Sequence, residues 1–283
     1  MLVLLPPSET KRSGGEAVSL DWKSLAFPAL TPARRTLSRA LVALSRQPEA
    51  AMATLKLGRT QTAEIERNRV LLTSETMPAI DRYTGVVYDA LDAASLSQTE
   101  RFFAHEHVAI HSALFGPLAA LDAIPAYRLS HDSRIPELAL KKHWMTSIGA
   151  ALAKTSGLVI DLRSEAYVAL GAAPCREDSV FLRVVTDVGG STRALNHFNK
   201  KAKGQFVRAL VQHGHIFATA AELLAWAPSA GIILRPGAGG TRTCGGRERS
   251  RAAIHDHDAQ RPAGVCLRVT PVAYHGDVNV ARV

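Results

Sequence analysis

Two short stretches each set a hydroxyl, a carboxylate and a cation beside an apolar run. Ser8, Glu9, Thr10 and Lys11 follow the run at residues 3–5, and Arg163, Ser164, Glu165 and Tyr167 follow the run at residues 158–162. A carboxylate next to cations can act as a general base while the cations hold an anion. No catalytic residue is assigned outright; on an enzyme reading, kept as the alternative, Glu9, Lys11 and Glu165 are the candidate groups. Ligands of open α/β sheets sit beyond the carboxyl ends of the strands, so the two stretches converge if their runs are neighbouring strands. Helix capping is the other reading, because Ser suits an N-cap and Glu a first turn.

A second constellation is cationic. Lys200, Lys201 and Lys203, followed by Arg208, form the densest basic run before the last fifty residues. Lys56 and Arg59 bracket Leu57 and Gly58 between two helical patterns. Both suit phosphate contacts, which position a nucleic acid without reading its sequence. A helix C-cap at the glycine and a solvated lysine face would look the same.

Residues 111–130 read HSALFGPLAALDAIPAYRLS. Small turn residues, a lone acid and a Pro-x-Tyr-Arg turn are not what a core helix needs. Ser112, Asp122, Tyr127 and Arg128 are expected to line a cleft with Ser8, Lys11, Arg163, Ser164 and Tyr167. There Arg128 could fork onto a phosphate and Tyr127 could stack on a base. Alternatively, a buried Asp–Arg pair fixes the loop.

His105, Glu106, His107 and His111 invite a metal reading, with His107 and His111 four apart on one helical face. HExxH fails because Ala109 stands where the second His belongs. No metal site and no cofactor are expected. Nor does the chain contain GxxxxGK[ST], GxGxxG or GxSxG.

The elements that must place these groups alternate. Strands are expected at residues 3–5, 158–162, 180–186 and 232–234. Helices are expected at 31–47, in two pieces within 51–72, and at 100–114, 203–212 and 220–227. The arginines of 31–47 (Arg34, Arg35, Arg39 and Arg46) read as a solvated face. The class is mixed α/β: a single compact domain with a central sheet flanked by helices.

The 283 residues are 47% hydrophobic and 21% charged, with net charge +9, which is ordinary globular composition that permits a polyanionic partner. No apolar run reaches the roughly 18 residues of a membrane span, and the start lacks the basic region of a secretory signal. Three widely spaced cysteines give neither a disulfide framework nor a zinc pattern. A cytoplasmic protein with no membrane partner is expected. The domain is read as residues 1–235. Residues 236–283 are expected to be a disordered tail, rich in Gly and Arg and without apolar period. From Arg235 onward eight arginines face four acids, so much of the basicity lies there. The composition reads either as a nucleic-acid-binding tail or, preferably, as an out-of-frame end of a GC-rich gene.

Taken in order, these motifs resemble the YaaA family of bacterial peroxide-stress resistance proteins. LLPPSETK, TGVVYDAL, the Ser-Ala-Leu-Phe-Gly to Asp to Pro-x-Tyr-Arg-Leu segment, Trp144, the Ser164 to Tyr167 stretch and the lysine run follow the family's order to about Arg235. The resemblance implies a YaaA-type α/β fold with a basic cleft and a cytosolic role in limiting iron-dependent peroxide damage. It also implies DNA as a partner, bound in part by a helix-hairpin-helix matching residues 51–69. DNA binding thus ranks ahead of catalysis. The alternative is an enzyme acting on a nucleotide or other anionic small molecule in a Glu/Lys/Arg/Tyr pocket.

Overall fold

The computed structural model describes residues 1–16, 19–188, 191–193, 196–236 and 265–271. Its strands are β1 (Leu2–Leu5), β2 (Thr76–Pro78), β3 (Val108–Ser112), β4 (Gly116–Ala119), β5 (Ala123–Pro125), β6 (Val159–Asp161), β7 (Ser179–Val188), β8 (Ser191–Arg193), β9 (Leu234–Pro236) and β10 (Val265–Pro271). Its helices are α1 (Thr31–Ser45), α2 (Pro48–Leu55), α3 (Thr62–Arg69), α4 (Ala79–Arg82), α5 (Val86–Leu91), α6 (Gln98–His107), α7 (Leu140–Ala153), α8 (Glu165–Val168), α9 (Asn196–His213) and α10 (Ala220–Trp226).

The fold is mixed α/β, a central sheet flanked by helices. The sheet runs β4-β3-β1-β6-β7-β10-β9, with β8 also on β7, and a separate ribbon joins β2 and β5. Strands β3, β1, β6 and β7 are mutually parallel, with Leu4 opposite both Ala109 and Asp161. Their short apolar runs are covered on both faces, as parallel strands require. The chain leaves β1 toward β3 and leaves β6 toward β7. The connections therefore diverge between β1 and β6, and the carboxyl ends of these neighbours open a crevice there.

Three expectations change. The helix expected at 100–114 ends at His107, and Val108–Ser112 is a fully buried strand. Ser97 and Glu100 cap that helix reciprocally. Its continuation, VAIHS, is β-branched and apolar enough to be claimed by the sheet. The strand expected at 232–234 is β9, but it is not the last one. Val265–Pro271, inside the segment read as a structureless tail, pairs antiparallel with β7 and parallel with β9. The rest of that segment, 237–264 and 272–283, lies outside the described residues. Among the described residues, no helix is long and apolar enough to cross a membrane.

The glycine of the lysine run has a packing reason. A Cβ on Gly204 would stand 2.1 Å from the Val87 carbonyl oxygen and 2.8 Å from Ala90 Cβ, so α9 presses its backbone against α5. Gly204→Ala should destabilise the fold by about 1–2 kcal/mol in urea unfolding, because overpacking against backbone outweighs the gain in helix propensity. An unchanged or raised midpoint would show that α5 and α9 can separate freely.

Candidate functional site

A cavity of about 520 Å³ occupies the crevice between β1 and β6, within the range of small-molecule sites. Its walls are Pro6 to Thr10 after β1, Thr84 to Tyr88 at the start of α5, Ser130 and His131, Ser164 and Tyr167 after β6, and Asn199, Lys200 and Lys203 on α9. Gly85 permits the closest approach. Its φ of +92° is a region that side chains avoid, and a Cβ there would lie 3.4 Å from Ser8 Oγ. Thr84 Oγ1 donates to Thr10 Oγ1 at 3.0 Å across the same contact.

The charges in the cavity are unequal. Lys200 and Lys203 line it, against Glu9. Glu9 Oε2 accepts from Arg128 at 2.8 Å. Lys203 is 8% exposed and its Nζ donates to the Leu162 carbonyl at 2.7 Å. Burial lowers its proton affinity to about 8. Lys11 lies beneath the wall rather than in it. Its Nζ donates to the carbonyls of Ser8 and Glu9 at 3.0 and 3.2 Å and sits 4.1 Å from the Tyr127 ring centroid. Burial, and then repulsion from Arg128, lower it to about 7.

Of the groups expected in a cleft, Ser8, Ser164 and Tyr167 line the cavity, because β1 and β6 are neighbours. Ser112, Asp122, Tyr127 and Arg163 are interior. Ser112 Oγ accepts from the Leu114 and Phe115 amides and bonds the Tyr127 hydroxyl, which also meets Tyr83 Oη at 2.7 Å. Tyr127 is 1% exposed with Lys11 Nζ over its ring, so it has no face free for a base, and burial holds its hydroxyl well above the usual phenol range. Asp122 accepts from the amides of Ala26 and Ala119; it fixes its loop without Arg128. Arg163 is fully buried and forks onto Asp161 at 2.6 and 2.8 Å. Arg128 sits at the edge: Asn68 brackets its backbone and its side chain reaches Glu9. Glu165 faces away and pairs with Arg183, so Glu9, Lys11 and Glu165 do not form one cluster.

The quoted turn is held from outside. Arg34, expected on a solvated face, is fully buried and donates to the carbonyls of Phe115 and Pro117 at 2.7 and 2.8 Å. Trp144 Nε1 donates to Ala113 O at 2.9 Å. The histidines separate: His107, ending α6, meets the Met1 carbonyl, while His111 is buried on β3 against Arg163. Among the described residues, no three His, Cys, Asp or Glu side chains come together as a metal site.

The basic residues divide too. Arg208 is tied to the carbonyls of Leu91 and Asp92 and to Ser95. Lys201 is exposed beside the cavity-lining Lys200. The turn between α2 and α3 exists, but Lys56 rather than Gly58 takes the left-handed cap position, φ 54°. Lys56 pairs with Asp132, next to the cavity's His131, and Arg59 is exposed at the following turn. Thr84, Gly85 and Tyr88 belong to the TGVVYDAL motif quoted for the family resemblance, without a site role expected of them, whereas His131 and Asn199 are wall residues that nothing in the sequence singled out. Within that motif the glycine, before an apolar helical run, is the signal of close backbone approach.

These features define a mixed α/β protein with a partly basic cavity at the switch point of a parallel sheet. The family described as Peroxide stress protein YaaA matches residues 1–228, and the chain belongs to that family. It is 43% identical over 240 residues to a UPF0246 protein of Corynebacterium glutamicum, covering 83% of this chain and 94% of that protein. A UPF0246 protein of Streptomyces coelicolor is 39% identical over 229 residues, covering 79% and 88%.

Two measurements test the site's electrostatics. An NMR titration of Lys11 should give a midpoint near 7, and Arg128→Ala should raise it by removing a like charge. Because the folded value lies below the unfolded one, the unfolded chain binds the extra proton between these pH values. The burial penalty is full below pH 7 and fades as pH rises toward 10.5; a midpoint above 10 would refute this placement. Arg163→Ala, which leaves Asp161 buried and unpaired, should cost about 3–5 kcal/mol in chemical denaturation. A loss under about 1 kcal/mol would show the pair to be dispensable.

Proposed function

We propose that this YaaA-family protein acts in the cytoplasm, in the peroxide response, by binding DNA along the basic side of the cavity and so limiting iron-dependent damage to it. The observation that carries the reading is the common border of two cationic elements. Lys200 and Lys203 enter the cavity from α9, and the Lys56 to Arg59 turn docks through Asp132 beside the cavity-lining His131. A phosphate backbone passing the mouth would meet Lys200, Lys201 and Arg59, all exposed. Such contacts are sequence-independent and release counterions.

A second reading, an enzyme acting on an anionic small molecule, is favoured by the cavity's depth. A volume of about 520 Å³ exceeds what a backbone phosphate alone would fill.

Duplex DNA should bind the full chain with an affinity that falls steeply with salt. Lys200→Ala combined with Lys201→Ala should weaken binding and lower the log–log salt slope by about 2. Absent binding at low salt, or a double variant indistinguishable from the parent in a fluorescence-anisotropy salt series, would refute DNA contact through this face.

A further inference from the structure

We propose that Lys203 is an imine-forming amine and that the cavity receives the open-chain aldehyde of a phosphorylated pentose, either free or as a base-less residue of a DNA strand. The inference rests on the reading that this cavity takes a phosphate-bearing ligand, and it adds the ligand's reactive group and the residue that meets it.

Geometry singles out Lys203 among the nearby lysines. It lines the cavity yet is 8% exposed. Among the described residues its amine makes one hydrogen bond, to the Leu162 carbonyl at 2.7 Å. Asp161, the acid whose charge acts on it, is already committed to Arg163 through both carboxylate oxygens. Among the described residues this amine has one acceptor and no carboxylate partner, and an amine so placed can lose a proton and keep a lone pair, which is the state that attacks a carbonyl. Burial acts in the same direction. Lys11, although also buried, is engaged by two carbonyls and covered by Tyr127. Lys200 is exposed and suits a phosphate as a point charge.

The remaining wall fits a sugar. Ser8, Thr10, Thr84 and Ser164 present hydroxyls. Asn199 Oδ1 is buried without a partner among the described residues, an acceptor for a ligand hydroxyl, since such an atom costs stability until paired.

The reaction balances without a further reagent. The Lys203 nitrogen lone pair attacks the aldehyde carbon, and the carbonyl π pair moves to oxygen. The proton released by nitrogen passes to that oxygen, giving a carbinolamine. Loss of water leaves the imine. His131, which also lines the cavity, is the imidazole available to carry the proton.

Reductive trapping with cyanoborohydride tests this on the full chain, using deoxyribose phosphate and a duplex carrying one base-less residue as separate probes. A mass gain equal to the probe less one oxygen, mapped by peptide sequencing to Lys203 and reduced at least tenfold in Lys203→Arg and Lys203→Met, is the expected result. Which probe traps identifies the source of the sugar. If the variants fail to fold, the mapped position in the unaltered chain decides. No adduct with either probe, or one spread over exposed lysines and unchanged in the variants, overturns the proposal. Binding of undamaged duplex, measured in parallel, separates the two readings. Duplex binding without an adduct removes only the imine chemistry, and a Lys203 adduct without duplex binding removes only the DNA contact.

Discussion

The buried ion pair of Asp161 and Arg163 is the constraint on which the site depends. Both side chains are fully buried, where charge is tolerable only when paired and fully hydrogen-bonded. Arg163 meets that demand by reaching across the sheet. Its guanidinium takes both Asp161 oxygens, the Gly171 carbonyl and His111 Nδ1 at 2.6 Å. The carboxyl end of β6 is thereby tied to β3, with β1 between them. Since Arg163 donates to Nδ1, His111 is neutral with its proton on Nε2, in keeping with burial and the nearby guanidinium lowering its proton affinity. The imidazole meets the Tyr167 ring edge-on at 5.8 Å. An ion pair in the core thus orders an aromatic wall of the cavity.

The same economy governs the Ser112 to Pro117 turn. Its carbonyls cannot satisfy one another within so tight a hairpin, and buried carbonyls need donors. Arg34 from α1 and Trp144 from α7 supply them, and Ser112 takes the turn's amides. The motif that most resembles the family is therefore a piece of scaffold. It locks two helices onto the sheet edge, beside the crevice.

That division explains the mixed character of the site. The wall from β1 and α5 is hydroxyl-rich and shaped by one glycine, whereas the wall from α9 is cationic. A polyanion would meet the second at the rim, and a small polar ligand would meet both inside. The chain belongs to the family described as Peroxide stress protein YaaA. The cavity's lysines, positioned by α9 packing through Gly204 against α5, are what any phosphate-bearing ligand would encounter first.

Much of this was legible in the chain itself. Apolar runs before Pro6 and Arg163 announced strands with polar groups at their ends, and the adjacency of β1 and β6 brought Ser8, Ser164 and Tyr167 together as their spacing suggested. The lysine run marked α9, and the ordered motifs marked the family. What the sequence could not carry was which polar side chains turn inward. Arg34, Ser112, Asp122, Tyr127 and Arg163 look like site residues or surface residues by type. Each is engaged by backbone groups or a buried partner, some nearby in sequence and some far along the chain, such as Phe115 and Pro117 for Arg34 and His111 for Arg163. The sequence by itself determined the class, the strand ends and the cationic helix, because these rest on local periodicity and composition. The tertiary structure alone decided which cations face a cavity and which satisfy the core, because that choice depends on which carbonyls and carboxylates the packed sheet leaves without a local donor.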